Sequence, residues 1–132
     1  MAFLLDTCVV IDLVRGNQDI IRKLKSKSPA TVFISTITEF ELRFGLVQNP
    51  RLKSRSKEVV QAFLSEANIL PFRSDESQIA AKLRYELKLK GTPIGAYDVL
   101  IAATALTNDF IFVTSNEKEF NRIEALKIEN WR

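Results

Sequence analysis

The sequence predicts an α/β protein, a three-layer α/β/α sandwich around a central, mostly parallel sheet. Three observations lead there. Ala2 to Leu5 is an apolar run without polar alternation, which suits a strand covered on both faces and hence a parallel sheet. Short β-like segments alternate along the chain with longer segments of helical period, and that order implies helices packed on both faces of a sheet. The 132 residues are 46% hydrophobic and 27% charged, the balance of a soluble globular chain long enough to bury a core.

Taken in order, the first strand stops at Asp6, a carboxylate placed at the strand's carboxyl end, where open parallel sheets bind their ligands. Val9 to Val14 starts a helix that Gly16-Asn17 ends, and Asp19 to Lys27 is a second, with Ile20, Ile21 and Leu24 on its apolar edge. Ser28-Pro29 breaks it. Thr31 to Ser35 is rich in β-branched and aromatic residues and makes the next strand. From Thr36 the period turns helical, with Ile37, Phe40, Phe44 and Val47 as the apolar stripe, and closes at Asn49-Pro50. Arg51 to Lys57 is a polar, basic connector. A helix from Lys57 to Ala67, a short strand at Ile69-Leu70 stopped by Pro71, and a long amphipathic helix from Ser74 to Lys90 follow. Gly91 to Pro93 is a loop, Gly95 to Leu106 a buried helix, and Ile111 to Val113 a strand. Glu117 to Arg122 is a short helix, and Lys127 to Trp131 a last edge strand. Residues 1–132 contain no internal repeat or low-complexity tract and are expected to form a single domain.

Composition removes several chemistries. There is no histidine and one cysteine, which excludes Ser-His-Asp and Cys-His catalysis, makes a zinc site untenable and rules out an intramolecular disulfide framework. Any metal must be held by oxygen, which points to magnesium or manganese. No stretch is long enough to cross a bilayer and no signal peptide is recognisable, so a soluble cytoplasmic protein without membrane partners is expected. The net charge of +3 is only a slight bias toward a polyanionic partner.

Three acids fall on apolar surfaces. Asp6 ends the first strand; Glu41 follows the second, on the helix face of Ile37, Phe44 and Gly45; and Asp98 shares a face with Ile101, Ala102 and Ala105. Each has a plain alternative: Asp6 or Thr7 as a helix cap, Glu41 in a capping box with Thr38, Asp98 as a first-turn acid favoured by the helix dipole. Asn116-x-x-Glu119, after the strand at Ile111 to Val113, is cap-like too. Their shared placement at strand ends and at the start of the most buried helix brings all of them toward one sheet edge. Clustered carboxylates repel unless a divalent cation offsets them, and such a site can hydrolyse a phosphodiester without histidine.

These residues resemble a family. Leu5-Asp6-Thr7, Ile37-Thr38-x-x-Glu41-Leu42-x-x-Gly45, Ile94-Gly95-x-x-Asp98-x-x-Ile101-Ala102-Ala103, Val113-Thr114-x-Asn116-x-x-Glu119-Phe120 and the closing Ile128-Glu-Asn-Trp131 together resemble the PIN-domain ribonucleases, in particular the VapC-type toxins of bacterial toxin–antitoxin pairs. The likeness runs the length of the chain in order. It implies a PIN-like fold and a Mg2+- or Mn2+-dependent endoribonuclease, toxic to its cell, held inactive by a VapB-like antitoxin and usually a homodimer. It places metal-binding acids at Asp6, Glu41 and Asp98, and a fourth carboxylate at Glu119. Asn116 and Thr114 have supporting roles. Cys8 departs from the asparagine common after the Asp-Thr pair; its plain reading is a small buried helix residue. Arg51, Lys53, Arg55 and Lys57 could track an RNA backbone, or simply be a solvated connector. The competing reading is a PIN-like module that binds RNA or protein without catalysis, which has no need of buried acids. A phosphatase of another α/β family lacks support, because neither an Asp-x-Asp pair nor a glycine-rich phosphate loop is present.

Overall fold

The computed structural model describes residues 1–51 and 54–132. Its strands are β1 (Phe3–Leu5), β2 (Val32–Ser35), β3 (Asn68–Leu70), β4 (Ile111–Val113) and β5 (Ile128–Glu129). They form one sheet in the order β3-β2-β1-β4-β5, and every pairing is parallel. The helices are α1 (Thr7–Val14), α2 (Gln18–Lys25), α3 (Thr36–Gln48), α4 (Ser54–Glu66), α5 (Ser74–Leu89), α6 (Ala96–Thr107) and α7 (Glu117–Phe120).

The chain steps from β1 outward to β3, then returns across β1 to build β4 and β5. Right-handed crossovers made in opposite directions leave their helices on opposite faces of the sheet. Two cores record this. Phe3, Leu5, Val9, Ile20 and Leu64 pack on the face covered by α1, α2 and α4. Leu4, Leu83, Leu87, Ile101, Phe112 and Phe120 pack on the face covered by α5, α6 and α7. Successive residues of β1 therefore point into different cores, Leu4 into one and Phe3 and Leu5 into the other, which is why the strand carries no polar alternation. The three-layer sandwich expected from the sequence is the observed fold. Among the described residues no helix is long and apolar enough to cross a membrane.

Differences from the sequence expectations have local causes. α1 starts at Thr7, two residues early, because the Asp6 carboxylate accepts the Thr7 amide proton at 2.8 Å and caps the helix. Helix α4 reaches back to Ser54, so Arg55 and Lys57 belong to a helix and not to a connector. The last strand is only Ile128–Glu129; Trp131 lies beyond it, packed edge-on against Phe3 at 5.5 Å. The largest correction concerns α3. Its stripe Ile37, Phe40, Phe44, Val47 was expected to face the core, yet Phe40, Phe44 and Val47 are exposed and Thr38 and Leu42 are the buried positions. Of the stripe only Ile37 packs against a core; Phe40 and Phe44 stack on each other and Phe40 meets Tyr97 at the surface.

The Phe112 and Phe120 rings meet at 4.7 Å and are both fully buried. Phe112→Ala is expected to lower the unfolding free energy by about 3–5 kcal/mol, read from urea denaturation.

Candidate active site

β1 is the strand at which the order of the sheet reverses, and its carboxyl end opens into the crevice that such a reversal creates. Asp6 stands there, buried. While Oδ1 caps α1, Oδ2 accepts from Thr114 Oγ1 at 2.8 Å and from the Cys8 thiol at 3.3 Å. Burial raises the Asp6 pKa above the usual carboxylate value; the hydrogen bonds from Thr114, Cys8 and the Thr7 amide pull it back, and the charge of Glu119 pushes it up again.

Glu41 arrives from the second turn of α3. The capping role open to it in the sequence belongs instead to Ser35, whose hydroxyl accepts the Thr38 amide proton at 3.0 Å. Glu41 is thus released to face β1, and its Oε1 accepts from Thr7 Oγ1 at 2.7 Å. Thr7 Oγ1 also lies 3.0 Å from Thr38 Oγ1, so the residues after β1 and β2 are tied together by hydroxyls.

Asp98 is the third residue of α6 and has no side-chain hydrogen bond among the described residues. Its carboxyl folds back over Gly95, where a Cβ would sit 3.0 Å from Asp98 Oδ2. Glycine there leaves the carboxyl its place, which an added methyl would make give way by a few tenths of an ångström. The Asp98 pKa is pushed up to about 6, first by burial and then by the charges of Asp6, Glu119 and Glu41. That set of neighbours places the four acids of the sequence reading within electrostatic reach of one point.

Glu119, on α7, is anchored on both oxygens: Oε1 accepts from the Gly95 amide at 3.3 Å and Oε2 from Asn116 Nδ2 at 2.7 Å. The Asn116 amide in turn donates to Thr114 Oγ1 at 3.0 Å. Thr114 and Asn116 therefore link Asp6 to Glu119, one through a hydroxyl and the other through an amide.

None of the four acids forms an ion pair among the described residues. An all-oxygen, anionic donor set without a counter-ion is what a hard divalent cation needs. Among the described residues no three acids converge as a ready cage. Each of Asp6, Glu41 and Glu119 instead turns an oxygen to a protein donor. Such spacing still suits magnesium, which keeps several waters and takes only one or two carboxylates directly.

Residues that the sequence reading missed are Thr7 and Thr38, which orient Glu41, Gly95, which makes room for Asp98, and Ser115, whose hydroxyl lies 3.4 Å from the Cys8 sulfur. Cys8 is more than packing, since it donates to Asp6; burial and then the Asp6 charge raise its pKa, so it stays a thiol. The basic run lies apart from the acids, where α3 ends and α4 begins. Arg51 and Arg55 are exposed, Lys57 Nζ donates to the Pro50 carbonyl at 3.2 Å, and Lys53 lies outside the described residues. Arg43 pairs with Glu39 at 2.9 Å rather than with the site acids. Beside the site, Phe40 contacts Phe44 at 6.2 Å and Tyr97 at 5.7 Å, an exposed aromatic group adjoining Glu41 and Asp98 in sequence.

A parallel α/β sandwich with carboxylates gathered at its switch point, and no histidine, defines the class of protein. Residues 3–126 match the PIN domain family, and the chain belongs to it. Its likeness within that family is to VapC proteins. The protein named tRNA(fMet)-specific endonuclease VapC from Salmonella typhimurium (strain LT2) is 33% identical over 131 residues, covering 99% of this chain and 98% of that protein. Ribonuclease VapC2 from Rickettsia felis is 34% identical over 134 residues, covering 99% of this chain and 98% of that protein. Among solved structures, VapBC2 from Rickettsia felis bound to a promoter DNA fragment superposes with a TM-score of 0.91 at 30% identity, covering the whole of both chains.

Because the folded state holds a proton on Asp98 more tightly than the unfolded chain does, ionising it destabilises the fold, and stability falls as pH rises from about 4 to about 6. Asp98→Asn is expected to raise stability at pH 7 in EDTA by about 1 kcal/mol, after allowing for solvent screening of a half-buried group, or about 4 °C in Tm. The gain should vanish near pH 4. A Tm unchanged at pH 7 would mean that the acids do not strain the fold.

Proposed function

We propose that this protein is a toxic endoribonuclease that hydrolyses RNA phosphodiester bonds with a divalent cation, Mg2+ or Mn2+, and is silenced by a cognate VapB-like antitoxin. The observation that carries the reading is that Asp98 lies within electrostatic reach of Asp6, Glu119 and Glu41 beside the sheet's switch point, with no ion pair to any of the four among the described residues. The VapC ribonuclease relatives, each matched over nearly its full length, support the activity, and the Rickettsia felis VapBC2 assembly supports the antitoxin.

In this reading Asp6, Glu41 and Asp98 hold the cation and Glu119 completes the ring of charge. The bound cation supplies Lewis acidity and offsets the negative charge that builds on phosphorus. The chain's own work is alignment. Thr114 and Cys8 fix the Oδ2 side of Asp6, Thr7 fixes Glu41, and Asn116 with the Gly95 amide fixes Glu119. Asp98 is the acid left free of protein donors, and it must lose its proton before it can serve as a ligand; cation binding is therefore expected to weaken as pH falls below about 6.

Purified protein with total cellular RNA should give cleavage products in Mg2+ or Mn2+ and none in EDTA. Asp6→Asn and Asp98→Asn should abolish both cleavage and toxicity while the far-UV circular dichroism stays that of the parent. Persistent cleavage in EDTA would remove the metal from the mechanism. A folded, cation-loaded, antitoxin-free protein that cuts nothing would favour a binding module. Gly95→Ala tests the packing under Asp98: the added methyl displaces the carboxylate by a few tenths of an ångström and should lower kcat about tenfold with little change in Tm.

A further inference from the structure

The carboxylate cluster repels the substrate it is read to cut. RNA presents a row of phosphates, and among the described residues no ion pair brings a cation to the acids; Asp98 has burial and the charges of Asp6, Glu119 and Glu41 about it instead. Phosphates flanking the cut bond must then find their positive charge beside the cluster. The described residues of the basic run, Arg51, Arg55 and Lys57, are a poorer source, since they lie where α3 ends and α4 begins and Lys57 donates to a carbonyl. A better one adjoins the site.

Between α5 and the loop that leads into α6 lies a cleft of about 290 Å³, lined by Arg84, Leu87, Lys88, Pro93, Ile94, Ala96 and Val99. Leu87 and Val99 are buried and make its apolar base. Arg84 and Lys88, four residues apart on α5, are exposed on one helix face; neither forms an ion pair or a side-chain hydrogen bond among the described residues. The opposite wall is the segment around Gly95, and this segment also borders the acids. Ile94 and Ala96 line the cleft, while Gly95 between them donates its amide to Glu119 at 3.3 Å and underlies the Asp98 carboxyl. One backbone segment thus has the acids on one side and two free cations across a cleft on the other. The wall is also braced: Arg122 Nη1 donates to the Pro93 carbonyl at 3.1 Å.

We propose that the cleft between α5 and residues 93–96 holds the phosphodiester backbone of single-stranded RNA through Arg84 and Lys88, positioning the adjoining phosphate at the carboxylate cluster. The inference rests on the ribonuclease reading above. It assigns substrate positioning to two residues of α5 and leaves the bond-breaking step with the acids. Point charges on a phosphate backbone add affinity without reading sequence, so their signature is electrostatic: each neutralised phosphate contributes to the salt dependence of binding.

The test uses the full chain free of antitoxin. Binding of a fluorescent single-stranded RNA of mixed sequence to Asp98→Asn protein is measured against KCl concentration, and cleavage of the same RNA by otherwise wild-type protein gives KM and kcat. Adding Arg84→Gln with Lys88→Gln is expected to make the slope of log K against log salt shallower by about 1.4, roughly 0.7 for each phosphate no longer neutralised, and to raise KM about tenfold with kcat within twofold. Arg84→Lys with Lys88→Arg, which keeps the charge, should restore both. Lys23→Gln with Lys25→Gln removes equal charge from α2, which leads into the amino end of β2, and should change neither. Both substituted positions on α5 are exposed, and an unchanged Tm confirms the fold.

A slope and KM equal to the parent's, or a change matched by the α2 variant, overturns the proposal. Unchanged RNA kinetics with loss of a protein complex in sedimentation would also overturn it and give the cleft to a protein partner. Parent protein that neither binds nor cuts RNA is a different failure, because it removes the ribonuclease reading itself.

Discussion

Like-charge repulsion at the carboxyl end of β1 is the constraint on which the rest of this structure depends. Four acids brought within electrostatic reach, partly out of water and without an ion pair among the described residues, would separate if the backbone allowed it. The backbone does not allow it. Asp6 leaves a strand with a neighbour on each side, Glu41 and Asp98 are held in the second and first turns of long helices, and Glu119 is tethered through both oxygens. The unfavourable electrostatics are carried by two apolar cores that meet in β1, so the rigidity of the sandwich and the charge of the site are one problem.

The hydrogen bonds around the acids show how that charge is distributed. Thr114, Cys8 and the Thr7 amide all donate to Asp6, which tempers the effect of its burial. Asp98 receives no such help, and its pKa rises to about 6. Asymmetry of this kind follows from topology. Asp6 is surrounded by strand ends and helix starts whose hydroxyls and amides point at it, whereas Asp98 approaches from the outer layer over a bare glycine. The acid with the fewest protein donors is the one best able to turn its lone pairs toward an added cation.

Much of the fold was legible in the sequence because β1 is sandwiched: a strand covered on both faces must be apolar throughout, and this one reads Phe-Leu-Leu up to Asp6. The acids were legible as misfits on apolar faces. Their supports were not. Thr7 and Thr38 are ordinary helix-start residues until the distance of 3.0 Å between their hydroxyls is known, and Cys8 looked like a packing residue because a thiol carries no sequence sign of what it faces. The α3 stripe misled for a related reason. Periodicity reports which residues share a face, but not whether that face meets a neighbour, and Phe40, Phe44 and Val47 share one that is exposed.

The same distinction bears on charge. A basic run in sequence, Arg51 to Lys57, drew attention because its members fall at every second position, yet a polyanion responds to cations that are adjacent in space and free of other partners. Arg84 and Lys88 are separated in sequence by Tyr85-Glu-Leu and lie inside an amphipathic helical pattern, which reads first as an ordinary exposed helix face. On α5 they are one turn apart, and the loop they face shares its backbone with the acid cluster. In the proposed ribonuclease, a site kept negative to hold a cation would be ill suited to hold the substrate's other phosphates as well. Segregating the two charges onto opposite sides of one short segment would let the pocket keep its acids close while a polyanion is held alongside, whereas a lysine placed among the acids would neutralise the cluster and compete with a cation for it.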